Sequence, residues 1–174
     1  MDDVDNYLRS RTPAAAWRIV GRHAARCELE VGAQSTNYTV TFQIQQHHGL
    51  DRALDIILSE PIIYNPWLCV WPAISPRPDF PDNYIRVDLD LSAGVGAIHY
   101  TAGQDELTGS WITKTSLPVS GVHLTWDYHN ADEARFPDDS VIPLDLWRQA
   151  LHEYFDLLGG RPTCVGWQRT EFRW

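Results

Sequence analysis

The feature that most constrains the fold is the alternation of apolar and polar residues over Tyr84–Leu91. A period of two residues is typical of a strand with one buried and one exposed face. Ser92–Gly94 follows as a short turn, and Val95–Thr101 returns as the partner strand of a hairpin. The pattern predicts an antiparallel hairpin whose polar face, including Asp88 and Asp90, lies in solvent.

Weaker alternation and apolar runs predict the other strands. They are a first hairpin (Cys27–Val31 with Tyr38–Ile44), a strand buried on both faces and interrupted at Pro66 (Ile62–Trp71), and three further strands (Ser110–Lys114, Val122–Tyr128 and Thr163–Trp167). Prolines between residues 72 and 83, and polar residues in 103–109 and 130–140, predict loops.

Two segments have the spacing of amphipathic helices. The apolar stripe of the first consists of Leu50, Ala53, Leu54, Ile57 and Leu58, and that of the second of Trp147, Ala150, Leu151, Tyr154 and Leu158. Pro61 ends the first; Pro143 suits the first position of the second, and Gly159-Gly160 stops it. Hairpins with two separated helices predict a single α+β domain with a largely antiparallel sheet of about six to eight strands.

The charge of the chain is concentrated in its middle. The whole chain carries a net charge of −9, and so does Asp79–Asp145 alone, with 12 acidic and three basic residues. Direct nucleic-acid binding is disfavoured, because phosphate contacts require a basic patch. The acidic stretch is either a solubilising surface or a face that steers association with a basic partner.

The start of the chain and its cysteines bear on where the protein works. It opens without a basic segment and apolar run, and no apolar stretch approaches the ~20 residues that span a bilayer. We therefore expect a cytoplasmic protein with no membrane partner. Cys27, Cys69 and Cys164 are odd in number and far apart, which predicts buried thiols and neither a disulfide framework nor a zinc site.

Two histidine-containing segments are candidate metal sites. His152-Glu153 begins like the H-E-x-x-H motif of zinc proteases, but Asp156 stands where the second histidine is required. These three residues are interpreted as the solvated face of the second helix. His47-His48 is expected to be an exposed loop that precedes the first helix. No metal site is predicted.

Catalytic patterns are equally sparse. Asp88, Asp90 and His99 could in principle perform acid–base chemistry, but carboxylates and histidines on the polar face of a hairpin are far more often solvated. The sequence has no G-x-S-x-G, G-x-G-x-x-G or P-loop motif. It therefore favours a binding module without a cofactor.

The C-terminal third resembles a known family. Phe136–Pro143 leads into the second helix, and Gly159–Gln168 closes it with a Gly-Arg-Pro turn and a strand that reaches Trp. Both segments are similar to those of immunity proteins of bacterial polymorphic toxin systems, in particular the family numbered one. The resemblance covers residues 36–168, and it divides the chain into an N-terminal extension, residues 1–35, and an immunity-protein-like domain, residues 36–174.

The resemblance implies a non-catalytic protein that binds and neutralises a cognate secreted toxin. Such toxins are often nucleic-acid deaminases, which use zinc to attack cytosine or adenine, so any zinc would belong to the partner. Our own inference is that an acidic surface competes for the basic cleft of such a toxin. The predicted contact residues lie in acidic loops, with Phe80 as an apolar anchor: Asp79, Asp82, Asp105, Glu106, Asp127, Asp132, Glu133, Asp138 and Asp139.

Two alternative functions remain open at this point. One is a small hydrolase or metal enzyme that uses Asp88, Asp90 and His99. The other is a general protein-interaction domain with no toxin partner. In each case we expect Trp167, at the end of the closing strand, to pack in the core.

Overall fold

The computed structural model describes residues 26–33, 38–59, 62–71, 83–103, 109–127 and 134–170. In chain order they form β1 (Arg26–Ala33), β2 (Tyr38–Ile44), α1 (His47–Ser59), β3 (Ile62–Trp71), β4 (Asn83–Asp90), β5 (Val95–Ala102), β6 (Gly109–Lys114), a 3-10 turn (Asp138–Ser140), β7 (Ile142–Pro143), α2 (Leu144–Asp156) and β8 (Gly166–Thr170). Residues 1–25 lie outside the described residues, as do large parts of the loops predicted in 72–83, 103–109 and 130–140.

The described strands form one antiparallel sheet in the order β2-β1-β3-β4-β5-β6-β8, with β7 paired to β5. The predicted hairpin is present, with Asp90 opposite Val95 and Asn83 opposite Ala102. The interruption expected at Pro66 is a bulge, where two residues of β3 oppose one of β1. Proline has no N–H for the ladder, and the bulge accommodates this. The predicted α+β fold with two helices is confirmed.

Both helices pack on one face of this sheet and form the main core. The strands contribute Ile85, Val87, Ile98 and Tyr100, among others, and the helices contribute their predicted stripes except Leu58, which is half-buried, and Leu158, which is exposed. Gly96 lets Trp147 lie against β5, because a Cβ there would come within 2.7 Å of the indole Cδ1. In the described part of the chain, neither helix is long and apolar enough to cross a membrane.

The opposite face of β4–β6 is covered by irregular segments, and here one prediction is wrong. Residues 122–127 are not a strand of the sheet: their described pairing is one bridge, Thr125 to Arg135. Leu124 and Trp126 are nevertheless buried, in a second, smaller core that includes Ala97 of β5. The alternation therefore reports alternate burial of side chains in a segment that crosses over the sheet.

The closing strand begins three residues later than the predicted Thr163. The N–H groups of Thr163 and Cys164 both donate to the Glu153 carboxylate, at 2.9 Å, so this segment is bound to α2 before the chain enters the sheet. β8 then pairs with β6 at the edge of the sheet. At the other end of α2, Pro143 is the N-cap. The sequence predicts it at the first helical position, which is one residue further into the helix.

Trp167 lies at the margin of the core. It is half-buried, and its ring centroid lies 5.9 Å from that of Tyr100. The indole Nε1 donates to the carbonyl oxygen of Pro162 at 2.7 Å. The residue therefore contributes to packing, as expected, although it is not fully enclosed.

Candidate partner-binding surface

The polar face of β4 is largely covered at Asp88, so the expectation that this carboxylate is solvated is wrong. The carboxylate accepts hydrogen bonds from the N–H groups of Thr125 (2.8 Å) and Leu89 (2.9 Å), and burial raises its pKa to about 6. Asp90 instead accepts from the hydroxyl and N–H of Ser92 in the following turn, and these bonds lower its pKa. Both carboxylates thus stabilise local backbone.

His99 is 0% exposed, and its ring stacks on Trp126 with centroids 5.2 Å apart. Burial, with the nearby charge of Arg86, lowers the pKa of His99 to about 3, so the imidazole is neutral near pH 7. In the described residues neither ring nitrogen has a hydrogen-bond partner, and hence no bond joins His99 to Asp88 or Asp90. An imidazole without access to solvent does not favour the hydrolase alternative.

The histidines of the two helices are joined in a hydrogen-bonded chain. His47 lies in the first turn of α1, not in a preceding loop as predicted. Its Nε2 lies 2.7 Å from an oxygen of Asp156, and its Nδ1 lies 3.0 Å from Nδ1 of His152. The Nε2 of His152 lies 2.9 Å from Asp51. These side chains bridge α1 and α2, so the interpretation of His152 and Asp156 as a merely solvated face is incomplete.

Arg148 extends this contact. Its guanidinium lies 2.7 Å from Asp51 and 2.9 Å from Asp55, and together with His152 it lowers the pKa of Asp51. Among the described residues, no group of three or more His, Cys, Asp or Glu side chains is placed to hold a metal ion. The arrangement can couple the two helices, and we assign it no reaction.

Glu153 binds the turn that follows α2. Burial by itself raises the pKa of the Glu153 carboxyl. Hydrogen bonds from Cys164 and Thr163 outweigh this effect and lower the pKa to about 2. Burial and the adjacent carboxylate raise the pKa of Cys164 to about 12, so the thiol stays protonated and is a poor nucleophile. The prediction of buried thiols is confirmed for Cys69, whereas Cys164 is only half-buried.

Three of the predicted contact residues are described, and each has an internal partner. Asp127 is 4% exposed and lies 4.0 Å from Arg86, so its burial removes it from the candidate contacts. Asp138 accepts from the hydroxyl of Ser120 and Asp139 from the amide of Gln168, both at 2.9 Å. The other seven predicted contacts lie outside the described residues: Asp79, Phe80, Asp82, Asp105, Glu106, Asp132 and Glu133.

Two of the acidic segments leave the sheet at the same end. Val70 of β3 pairs with Asn83 of β4, Asn83 with Ala102 of β5, and Ala102 with Gly109 of β6. The described residues that flank segments 72–82 and 104–108 therefore lie at one end of the sheet, which we call the loop end. Sequence reasoning could not bring these flanking residues together without the strand order.

Helix α2 finishes at the loop end. The Tyr154 hydroxyl donates to the Asn83 carbonyl at 3.0 Å, and Val70 would lie 3.3 Å from a Cβ placed on Gly159. Two hydrogen bonds of a Schellman motif close the helix: Gly159 N–H to Tyr154 oxygen (2.9 Å) and Leu158 N–H to Phe155 oxygen (3.1 Å). The helix thus ends at Asp156, before the predicted stripe does.

Leu158 consequently lies outside the core, contrary to prediction. It occupies the left-handed position of the motif, with φ 50°, and its exposed fraction is 67%. Leu157 beside it is 46% exposed. The apolar spacing predicts one turn of helix too many. In the sequence Leu-Leu-Gly-Gly a leucine or a glycine can take the left-handed position that ends the helix, and the spacing does not show which. These two leucines are candidate contacts that the sequence analysis missed.

The comparisons with known proteins agree with the resemblance. Neither the comparison with curated proteins nor that with solved structures gives a match. A family model described as Immunity protein Imm1 matches residues 50–169, from α1 to β8. This range is more than half of the chain and includes both segments on which the resemblance was based. The chain therefore belongs to the Imm1 family of immunity proteins.

Proposed function

We propose that this protein binds a cognate secreted bacterial toxin in the cytoplasm and blocks its active or substrate-binding site. Membership of an immunity family implies a toxin partner and a non-enzymatic role, and the match over residues 50–169 is the observation that carries the proposal. The burial of His99 supports it, because the imidazole that the alternative hydrolase requires is 0% exposed and its ring nitrogens have no hydrogen-bond partner among the described residues.

The toxin that fits best is basic, and we propose a zinc-dependent nucleic-acid deaminase. Such an enzyme holds its polyanionic substrate with lysine and arginine side chains, and an acidic protein competes for the same surface. The support in this chain is the net charge of −9 within Asp79–Asp145. The zinc would belong to the toxin. Direct binding of nucleic acid or membrane by the immunity protein forms no part of the proposal.

The test is co-expression with the cognate toxin domain, to be sought as the C-terminal domain of a large secreted protein encoded by a neighbouring gene. Cells that express this toxin domain alone should die, and cells that also express the immunity protein should survive. A toxin domain from an unrelated system serves as the control and should kill in both cases. Death in the presence of the immunity protein, at confirmed expression of both chains, would contradict the proposed function.

The deaminase assignment has a separate readout. DNA and RNA from cells that express the toxin alone should carry cytosine-to-uracil or adenine-to-inosine changes, which disappear on co-expression of the immunity protein. Protection without any such changes in the unprotected cells would retain the immunity function and refute the deaminase.

A further inference from the structure

We infer that His47 and His152 share one hydrogen through their facing Nδ1 atoms, so that the contact between α1 and α2 weakens as pH rises. The contact is a property of the two helices, whichever toxin the protein binds. It makes the bridge between them a pH-sensitive element of the fold.

The two imidazole rings meet edge to edge. Nδ1 of His47 lies 3.0 Å from Nδ1 of His152, the ring planes differ by 6°, and the ring centroids lie 5.3 Å apart. This separation is about the largest that such a contact between ring atoms allows, because it equals the contact plus one ring radius on each side. The two nitrogens therefore point straight at each other in nearly one plane, which is the arrangement of a hydrogen bond and not of stacked faces.

The outer nitrogens of the pair show where two of the ring hydrogens lie. Nε2 of His47 lies 2.7 Å from Asp156, and Nε2 of His152 lies 2.9 Å from Asp51. An ionised carboxylate only accepts hydrogen bonds. The hydrogen bond from Arg148 lowers the pKa of the Asp51 carboxyl and keeps it ionised. Each Nε2 therefore carries a hydrogen, which it donates to its carboxylate.

Two neutral imidazoles have no hydrogen left for the contact between them, since a neutral ring carries only one. The facing Nδ1 atoms of His47 and His152 would then present two lone pairs to each other at 3.0 Å. A third hydrogen turns this repulsion into an N–H···N hydrogen bond and gives the pair one positive charge. The geometry therefore fits an imidazole paired with an imidazolium.

The charged groups around the two histidines favour this added charge. In the described part of the chain they come from the two helices: Asp51 and Asp156 contact the pair directly, and Arg148 binds both Asp51 and Asp55. Three carboxylates against one guanidinium leave a negative charge, which the third hydrogen reduces. Solvent screens the effect, because the two imidazoles are 54% and 24% exposed.

The direction of the pH dependence follows from the third hydrogen. The folded chain holds it between two rings, whereas in the unfolded chain the rings are apart. The stability that the bridge contributes is therefore present while the pair holds this hydrogen and is lost as pH rises. Histidine ordinarily changes charge between about pH 5 and pH 8. Above this range the facing nitrogens repel each other, and the first turn of α1 loses its bond to His152 of α2.

The first experiment observes the ring nitrogens of the full chain by NMR, after labelling with nitrogen-15. Near pH 6 the two Nδ1 signals of the pair should lie between those of a protonated and a bare nitrogen. The signals of both rings should then change together over one pH range as the shared hydrogen is lost. His48, which is exposed beside His47 on α1, is the matched control and should titrate independently.

The second experiment is a double-mutant cycle in urea unfolding, with His47→Ala, His152→Ala and the double variant. Near pH 6 the coupling should change the folding equilibrium constant about threefold in favour of the intact pair, the size expected of a partly exposed charged contact. Near pH 9 it should fall below about 1.5-fold, because the pair no longer holds the third hydrogen. The same cycle with His48→Ala in place of His47→Ala should show no coupling at either pH.

Three results would overturn the shared hydrogen. Independent titration of the two rings would show that nothing is shared between them. A coupling of equal size near pH 6 and near pH 9 would show an interaction that needs no added charge. Zinc that raises the melting temperature of the wild type but not of His152→Ala would place a metal ion where the hydrogen is inferred. Since the NMR experiment uses the wild type, it decides the question even if a variant fails to fold.

Discussion

Replacement of Asp88 by asparagine should change how stability depends on pH. Burial raises the pKa of the folded-state carboxyl from 3.8 to about 6. The folded protein therefore holds this proton more tightly than the unfolded chain, and stability contributed by protonated Asp88 is lost as pH rises from about 4 to 6. At about 1.4 kcal/mol per pKa unit, the loss is about 3 kcal/mol. Asparagine does not titrate, so the variant should lack this loss.

The assay is urea unfolding of wild type and Asp88→Asn, followed by tryptophan fluorescence between pH 4 and pH 7.5. Other groups titrate in both proteins, so the difference between their unfolding free energies isolates Asp88. This difference should shift by about 3 kcal/mol in favour of the variant as pH rises through the interval. In the variant, the side-chain amide oxygen can accept only one of the two hydrogen bonds from Thr125 and Leu89, which lowers stability by the same amount at every pH. Such a constant difference in unfolding free energy is compatible with the reasoning. Parallel stability curves would refute it.

Three further outcomes follow from the fold and the proposed surface. Gly96→Ala should destabilise by about 1–3 kcal/mol in urea unfolding, because the added methyl meets Trp147 at 2.7 Å; an unchanged midpoint would contradict the close packing. Trp167→Ala should lose about 2–3 kcal/mol, somewhat less than a fully buried tryptophan; retained stability with lost protection would make it an interface residue. Association with the toxin should become slower and less salt-sensitive, without unfolding, when lysine replaces the acidic residues Asp79, Asp82, Asp105 and Glu106; an unchanged rate at low salt would make these segments only a solubilising surface.

Much of the fold could be predicted because its local signals agree with one another. In Tyr84–Leu91 the alternation, the turn that follows and the returning strand all indicate a hairpin, and the structure contains it. Residues 122–127 carry an equally regular alternation but cross over the sheet. A period of two records which side chains are buried, and it cannot distinguish a neighbouring strand from a covering segment.

The candidate surface depended on information that is not local. The described residues that flank the acidic segments 72–82 and 104–108 become neighbours only through the strand order β3-β4-β5-β6. Leu158 continued the apolar spacing of α2, and only the actual helix end, with Leu158 in the left-handed position, turns it outward. The positions of His99 and Asp88 likewise depend on residues 122–127, which cover this face of the sheet far from them in sequence.

The most direct test of the central claim is displacement of a labelled oligonucleotide from the purified toxin domain by the immunity protein. If the protein blocks the substrate-binding site, saturating amounts should release the oligonucleotide fully and abolish the toxin's activity over the same concentration range. A ternary complex, in which the toxin holds both the immunity protein and the oligonucleotide and remains active, would contradict the account.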